Sequence, residues 1–455
     1  MASMDSTENS TPVHDLLTGS EKTVQTESNF SGEIERSPEE ARETKPDDAT
    51  KLEDAGPPDG GAAAWLNVLG AWCCSFSSPG WVNSVGSFQQ YYEIGPLKGY
   101  SGSTISWIPA LQLFFLFALG PFVGIIYDKY GPRPLILAGT IFHVFGLMMA
   151  SLANKYYQFM LSQGVCSAIG VACLYMPVLC DEAIACVSTW FNKKRGLAMG
   201  ILVTGSSVGG VIFPIMISHM VQSTGYPWTI RTAAFIILGL QIIAIFTVRP
   251  RTKPVPKKMP VGRLAAPFLE LPFVLLLLGI GILTYGIFTP IVYLAVQGFQ
   301  EAHMSEEMSQ YLVLFGRLVA GYCADKIGRW NMFIIASAVS GISIFAVWIP
   351  ATHSSIVIGF SIMFGFTSGA FMSLSGALPI AVSPLPEIGY RLGLMLLAIS
   401  IPALTVAPIG GAILQSSGNS WLNVKIFGGV MCLVGSAVIL ISRWLYTEKK
   451  LLKVF

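Results

Sequence analysis

The chain has 455 residues, of which 53% are apolar and 12% charged, with a mean hydropathy of +0.60. Soluble globular proteins carry about 25% charged residues, so this composition excludes a soluble enzyme. No Lys/Arg-rich face is available to hold nucleic acid. The chain is expected to live in a lipid bilayer.

The net charge of +2 hides a sharp division. Residues 1–59 hold fifteen acidic and five basic residues, whereas 60–455 hold eleven acidic and twenty-three basic. The first stretch has no Trp, Tyr or Cys and one Phe, Phe30. It cannot bury enough apolar surface to offset its ordering entropy and reads as a disordered acidic cytoplasmic tail. It has no apolar h-region, and its acidity argues against a transit peptide, so the first span is expected to act as the signal.

About 20 apolar residues are needed to cross ~30 Å of hydrocarbon. That ruler places spans near 64–88, 105–126, 135–152, 159–180, 197–219 and 232–248, then near 272–297, 308–324, 332–349, 356–378, 393–414 and 424–445. The expected fold is an all-α membrane protein of 12 transmembrane helices. A six-helix half at 60–248 and another at 271–446 flank a basic, Pro-rich cytoplasmic linker at 249–270, and a cytoplasmic tail closes the chain at 447–455. The linker, with Pro250, Pro254, Pro256 and Pro260, suits an extended tether.

Orientation follows from Lys/Arg asymmetry. With the N-terminus inside, the cytoplasmic segments from residue 60 onward carry eighteen Lys/Arg, including Arg391 and Arg443. The opposite loops carry four: Lys98, Lys155, Arg231 and Lys425. Both termini are expected to be cytoplasmic.

The loop after the second span reads Gly124-Ile-Ile-Tyr-Asp128-Lys129-Tyr-Gly131-Pro132-Arg133, and the loop after the eighth reads Gly321-Tyr-Cys-Ala-Asp325-Lys326-Ile-Gly328-Arg329. Two matches in register imply duplicated halves, an arrangement typical of secondary transporters with a site between the repeats. The glycines let helices approach, and an Asp at a helix end can pair with a basic residue or with a helix N-terminus across the loop. A latch of this kind can hold one access state and release in the other. The motif resembles the loop signature of the major facilitator superfamily, which implies conformational gating and carries no substrate information.

Further stretches resemble the monocarboxylate-porter-like family in its fungal branch. Asp59-Gly60-Gly61 followed by Trp65 is similar to the signature opening that family's first span. Trp190-Phe191-Asn192-Lys193-Lys194-Arg195-Gly196 is similar to the one opening its fifth. The segment Gly80–Tyr92, Ser103–Trp107 and Phe315-Gly-Arg317 fit as well, and the resemblance covers about 60–445. Animal members use a first-span lysine and an eighth-span aspartate for proton-coupled transport; the aligned positions here are Asn83 and Val313, while Arg317 matches the family's arginine. These departures count against lactate or pyruvate as substrate. Relative to the family, Val178–Glu182 reads as a five-residue insertion. The eighth span reads as shortened, its apolar stretch 311–324 covering about 21 Å.

Candidate substrate-binding residues are Arg317, Asn83, Gln89 and Gln90. Arg317 is the one Lys or Arg set well inside a span, and an intramembrane cation costs ~2.5–3.5 kcal/mol on the lenient insertion scale. It reads equally as an anion contact or as a snorkelling structural arginine. The polar group Asn83, Gln89 and Gln90 reads as substrate-facing or as helix-to-helix hydrogen bonding. Gln112 and His143 read as packing contacts before proton relays. No metal site is expected, because the eight Cys and five His show no ligand spacing. No cofactor is expected, and no nucleotide-binding loop of the G-x-x-x-x-G-K-[ST] type occurs.

These readings point to a secondary transporter and not an enzyme. Its partners would be a small organic solute, the bilayer and protons as coupling ion, acting as a monomer at the plasma membrane or, as the alternative, at a vacuolar or other internal membrane. Efflux of a specialised metabolite is the leading reading. Uptake of a monocarboxylate or riboflavin-like nutrient, and a transport-dead sensor, are the alternatives.

Overall fold

The computed structural model describes residues 60–84, 88, 91–92, 95–183, 190–191, 194–248, 261–297, 329–351, 354–384, 387–418 and 420–447. The acidic tail, Asp59, Gln89, Gln90, Lys193, most of the 249–270 linker, the eighth span with Arg317, and Gly321, Asp325, Lys326 and Gly328 lie outside the described residues.

Every described element is helical, as a lipid environment demands of a backbone whose polar groups must be satisfied within each segment. The labelled helices are α1 (Ala62–Ser77), α2 (Pro79–Val82), α3 (Trp107–Ala118), α4 (Gly120–Tyr130), α5 (Pro132–Ala150), α6 (Ala168–Ala183), α7 (Arg195–Ser223) and α8 (Tyr226–Thr247). They continue with α9 (Val261–Leu269), α10 (Leu271–Gln297), α11 (Arg329–Ser343), α12 (Ser354–Leu374), α13 (Ile388–Ser416) and α14 (Trp421–Tyr446). Among the described residues, eight helical segments are long and apolar enough to cross a membrane, or nine if the bent α3–α4 pair is one span.

Several spans are irregular where the sequence supplies a cause. The first was expected unbroken from 64 to 88, but it breaks at Ser78, whose backbone turns to φ −105° and ψ −86° ahead of Pro79. Proline has no N–H to continue the ladder, and Ser78 Oγ instead donates to the Val171 carbonyl at 3.0 Å. The α3–α4 span bends by 40° at Leu119, just before Gly120-Pro121. Met160–Ser167, leading into α6, is π-helical. Pro214, Pro290, Pro402 and Pro408 all lie inside long helices.

The packing plan repeats along the chain. Before the linker, α1 packs on α7 and α8, and α5 packs on α6 and α8. After it, α10 packs on α13 and α14, and α11 packs on α12 and α14. Among the described helices, these contacts of α1, α5, α6, α7 and α8 thus follow the same pattern as those of α10, α11, α12, α13 and α14.

Two expectations are corrected. The linker was expected as an extended tether, yet its residues 261–269 form α9. Arg391 and Lys425 were assigned to loops, yet both lie within helices and are buried, at 3% and 5% exposure. Each has found a partner that makes burial tolerable. Lys425 Nζ donates to the Trp348 carbonyl at 2.8 Å and lies 5.4 Å from that ring's centroid, and Arg391 is paired with carboxylates, as described below.

Candidate functional site

The first copy of the duplicated motif sits where the two halves of the sequence touch. Gly131 ends α4 with φ +78°, a left-handed conformation that glycine adopts without Cβ strain. This tight exit lets Pro132 begin α5 at once. Arg133 Nε donates to the Val248 carbonyl at 3.3 Å, tying the motif to the end of α8. Lys129 is exposed, its amine 4.9 Å from the ring centroid of Tyr130.

Asp128 faces the other half. Its Oδ1 accepts from the Gly389 N–H and its Oδ2 from the Tyr390 N–H, both at 2.8 Å. These are two of the N–H groups that the first turn of α13 cannot satisfy internally. A carboxylate at that helix end gains from the aligned backbone dipoles as well as from both hydrogen bonds. Of the two partners the sequence allowed for this Asp, the helix N-terminus is the one it takes.

Glycines let the helices come this close. Gly120 and Gly124 on α4 meet Gly393 and Gly389 on α13 in reversed order, so the helices cross antiparallel. A Cβ on Gly120 would lie 2.7 Å from the Gly393 carbonyl oxygen, and one on Gly389 would lie 2.6 Å from that of Gly124. Each helix carries its pair at i and i+4, the small-residue spacing that allows close backbone approach in membranes. Alongside, the space in front of Gly376 is bounded by Leu179 of α6 and Leu392 of α13. The principal described contacts across the halves are α13 against α3, α4 and α6.

A charge cluster surrounds the first turn of α13. Arg391 donates from both terminal nitrogens to Glu270, at 2.7 and 2.6 Å, and its Nε lies 3.4 Å from Glu387. Glu387 stands at the N-cap position of α13 without a side-chain capping hydrogen bond, and Glu270 sits between α9 and α10. The Tyr390 hydroxyl donates to the Leu264 carbonyl of α9 at 2.9 Å. None of these four residues was singled out from sequence as functional. The signal available was the repeated four-residue glycine spacing, which marks where α13 must meet α4.

The other candidates are dispersed. Asn83 is exposed near the end of α2, its side chain against Gly210 of α7. The two family signatures meet, with the Trp65 and Phe191 rings 4.9 Å apart edge to face. Gly60 precedes α1 with φ +155°, Trp190 is half-buried, and Lys194 is exposed just ahead of α7, which Arg195 begins. Arg329 begins α11.

Gln112 and His143 are fully buried packing residues. His143 Nδ1 lies 2.9 Å from Ser167 Oγ. Gln112 Oε1 accepts from Gln163 Nε2 at 3.4 Å. Gln163 Oε1 accepts from the Tyr92 hydroxyl at 2.5 Å, and that hydroxyl lies 2.9 Å from the Tyr226 hydroxyl. This polar chain inside the first half was not foreseen. Tyr92 and Tyr226 looked like ordinary aromatic packing, and the π-helical turn that carries Gln163 has no sequence signature.

Comparison with known proteins agrees with the geometry. A sequence model of the Major Facilitator Superfamily matches residues 61–315 and 308–454. The "Fujikurins efflux protein" of Gibberella fujikuroi is 68% identical over 448 residues, covering 97% of this chain and 94% of that protein. The "Aspyridones efflux protein apdF" of Emericella nidulans is 38% identical over 84% of this chain and 78% of its own length. Among solved structures, a bacterial homologue of the iron transporter ferroportin aligns with a TM-score of 0.66, covering 84% of this chain and 99% of its own. At 14% identity that likeness concerns the fold alone. With that family model matching most of its length, this chain belongs to the Major Facilitator Superfamily.

Proposed function

We propose that this chain is a secondary transporter that exports a specialised metabolite across the plasma membrane by alternating access. The observation that carries this reading is the 68% identity, over nearly the whole of both chains, to a protein named for fujikurin efflux. The efflux protein named for aspyridones supports the same direction.

In this reading the chain has twelve spans in two six-helix halves, with both termini in the cytoplasm. The positive-inside distribution of Lys and Arg supports that orientation. The Asp128 contact then closes the cytoplasmic side, and its release opens the solute site inward. The solute site lies between the halves, with Arg317, Asn83, Gln89 and Gln90 as its candidate polar contacts. A proton gradient drives transport, and the protein works as a monomer. The resemblance at Asp59–Trp65 and Trp190–Arg195 supports assigning the chain to a monocarboxylate-porter-like branch, while Asn83 and Val313 argue for a substrate other than a simple monocarboxylate.

The test is untargeted metabolite profiling of medium and cells, with the gene deleted and overexpressed. A compound retained by deleted cells and enriched in the medium on overexpression is the expected result and names the substrate. A compound moving the opposite way, or no change in any compound, overturns the export reading.

A further inference from the structure

We propose that Arg391 is a positioning residue for the latch. It fastens the first turn of α13 to the α9–α10 corner, so that the Gly389 and Tyr390 N–H groups are presented to Asp128. This inference rests on reading the Asp128 contact as the gate of a transporter.

The geometry is that of a two-sided joint. On one side, the backbone N–H groups of Gly389 and Tyr390 reach across to Asp128 in the other half. On the other, consecutive residues of the same turn hold the corner. The Tyr390 hydroxyl binds the Leu264 carbonyl of α9, and the Arg391 guanidinium grips both oxygens of Glu270. The guanidinium also lies 5.0 Å from the Phe273 ring centroid, so its position is fixed from α10 as well. A bidentate arginine–carboxylate pair sets orientation as well as distance.

The charges explain why an arginine is needed there. The N-terminus of α13 has one positive dipole end and two claimants, Asp128 across the gap and Glu387 at its own cap. Arg391 lies 3.4 Å from Glu387 and offsets that carboxylate, leaving the helix end to Asp128. Without the guanidinium, Glu387 repels Asp128 and competes for the same N–H groups. Glu270 is 40% exposed while Arg391 is 3% exposed, so the carboxylate is the end of the pair that faces water.

The experiment reads the access state directly. Leu179 is buried beside Gly376 and Leu392 at the latch end. A cysteine placed there (Leu179→Cys) in the full chain is labelled with a membrane-impermeant maleimide in inside-out vesicles and in sealed cells. The chain without this substitution serves as the blank. Arg391→Gln is expected to raise labelling from the latch side about tenfold, and Glu270→Gln to raise it by less, because Glu270 is solvent-exposed. The conservative variant Arg391→Lys, which keeps a cation beside Glu387 and Glu270 without the bidentate fork, is expected to restore part of the protection. Membrane-inserted protein is quantified for every variant, and Glu270→Gln, which leaves the arginine in place, serves if the Arg391 variants do not insert. Unchanged labelling in an inserted variant, or an Arg391→Lys variant no better protected than Arg391→Gln, overturns the proposal. The readout needs no solute, so labelling that follows expectation while no compound moves in the metabolite test refutes export and leaves the joint standing.

Discussion

Gly124 and Gly389 cross with no room for one more carbon between them. A Cβ on Gly389 would stand 2.6 Å from the Gly124 carbonyl oxygen, and one on Gly124 would overlap the Gly389 carbonyl. The obstructing atoms are backbone on both sides, so no rotamer change can make space. Both residues lie on surfaces that meet only when the two halves are together. A larger side chain at either position therefore penalises this conformer far more than it penalises the folding of either half.

Gly389→Val and Gly124→Val are thus expected to shift the population away from the latched state by about 1–3 kcal/mol, the usual cost of overpacking. That corresponds to roughly 5- to 150-fold in the state ratio. Labelling from the latch side should rise, export should fall, and the amount of protein in the membrane should change little. Gly376→Ala provides the contrast. Its Cβ would stand 3.5 Å from Leu179 and 3.9 Å from Leu392, which is ordinary contact, so export should be retained.

Asp128 acts through its charge and through two acceptor oxygens, and two substitutions separate them. Asp128→Asn keeps one oxygen acceptor for the helix end and loses the charge–dipole attraction, worth about 0.3–1 kcal/mol and up to ~2 kcal/mol when partly buried. Asp128→Ala leaves both N–H groups without their partner and should cost more, about 1–3 kcal/mol for each donor that stays dry. Export assays with side-specific labelling should rank wild type above Asn and Asn above Ala. Equal effects of the two variants would mean that the single acceptor oxygen kept by Asn contributes nothing once the charge is gone.

Legibility from the sequence divides along physical lines. Helices in lipid must be long and apolar, so hydropathy located most of the described spans without any tertiary information. The duplicated Gly-x-x-x-Asp-Lys-x-Gly motif pointed to a chain built twice, because a local loop geometry leaves a local signature. Partnership across the halves was less visible. Arg391 looked like one more cytoplasmic positive charge, since nothing local distinguishes a loop arginine from one folded back onto Glu270, 121 positions earlier in the chain. The π-helical turn around Gln163 and the break at Ser78 are likewise products of packing. In the second case Pro79 was a sufficient local cause, and the unbroken reading of the span overlooked it.

Lys425 offers a test of what a buried cation contributes. Its ammonium caps the Trp348 carbonyl at the end of the π-helical turn that follows α11, while its stem fills space between helices. Lys425→Met preserves most of that volume and removes the charge, a replacement that is often neutral for buried ionic groups. Lys425→Ala removes both and should cost about 2–3 kcal/mol, the combined effect of a lost hydrogen bond and an unfilled space. Thermal unfolding of the detergent-purified protein should therefore show the alanine variant well below the methionine variant. Because Lys425 lies in the first turns of α14, about 30 Å along that helix from Tyr446 beside Glu270 and Arg391, export by Lys425→Met should stay within about twofold of wild type, which is the usual limit for changes away from functional contacts.

Arg317 is the remaining charge that the proposed function uses, and its prediction follows from the bilayer. An arginine well inside a span costs ~2.5–3.5 kcal/mol to insert, so a chain that keeps one gains something from it. If the gain is contact with an anionic or strongly polar solute, Arg317→Lys should retain partial export, because it supplies a cation of similar reach. Arg317→Gln should lose export while inserting at least as well as wild type, since it removes the insertion penalty. The substrate concentration giving half-maximal export should rise for the lysine variant, because a point charge replaces a planar fork of donors. If the arginine is instead a structural group snorkelling to the interface, all three forms should export alike and differ only in the yield of inserted protein. Dose–response curves for the three forms, normalised to protein in the membrane, distinguish the two roles.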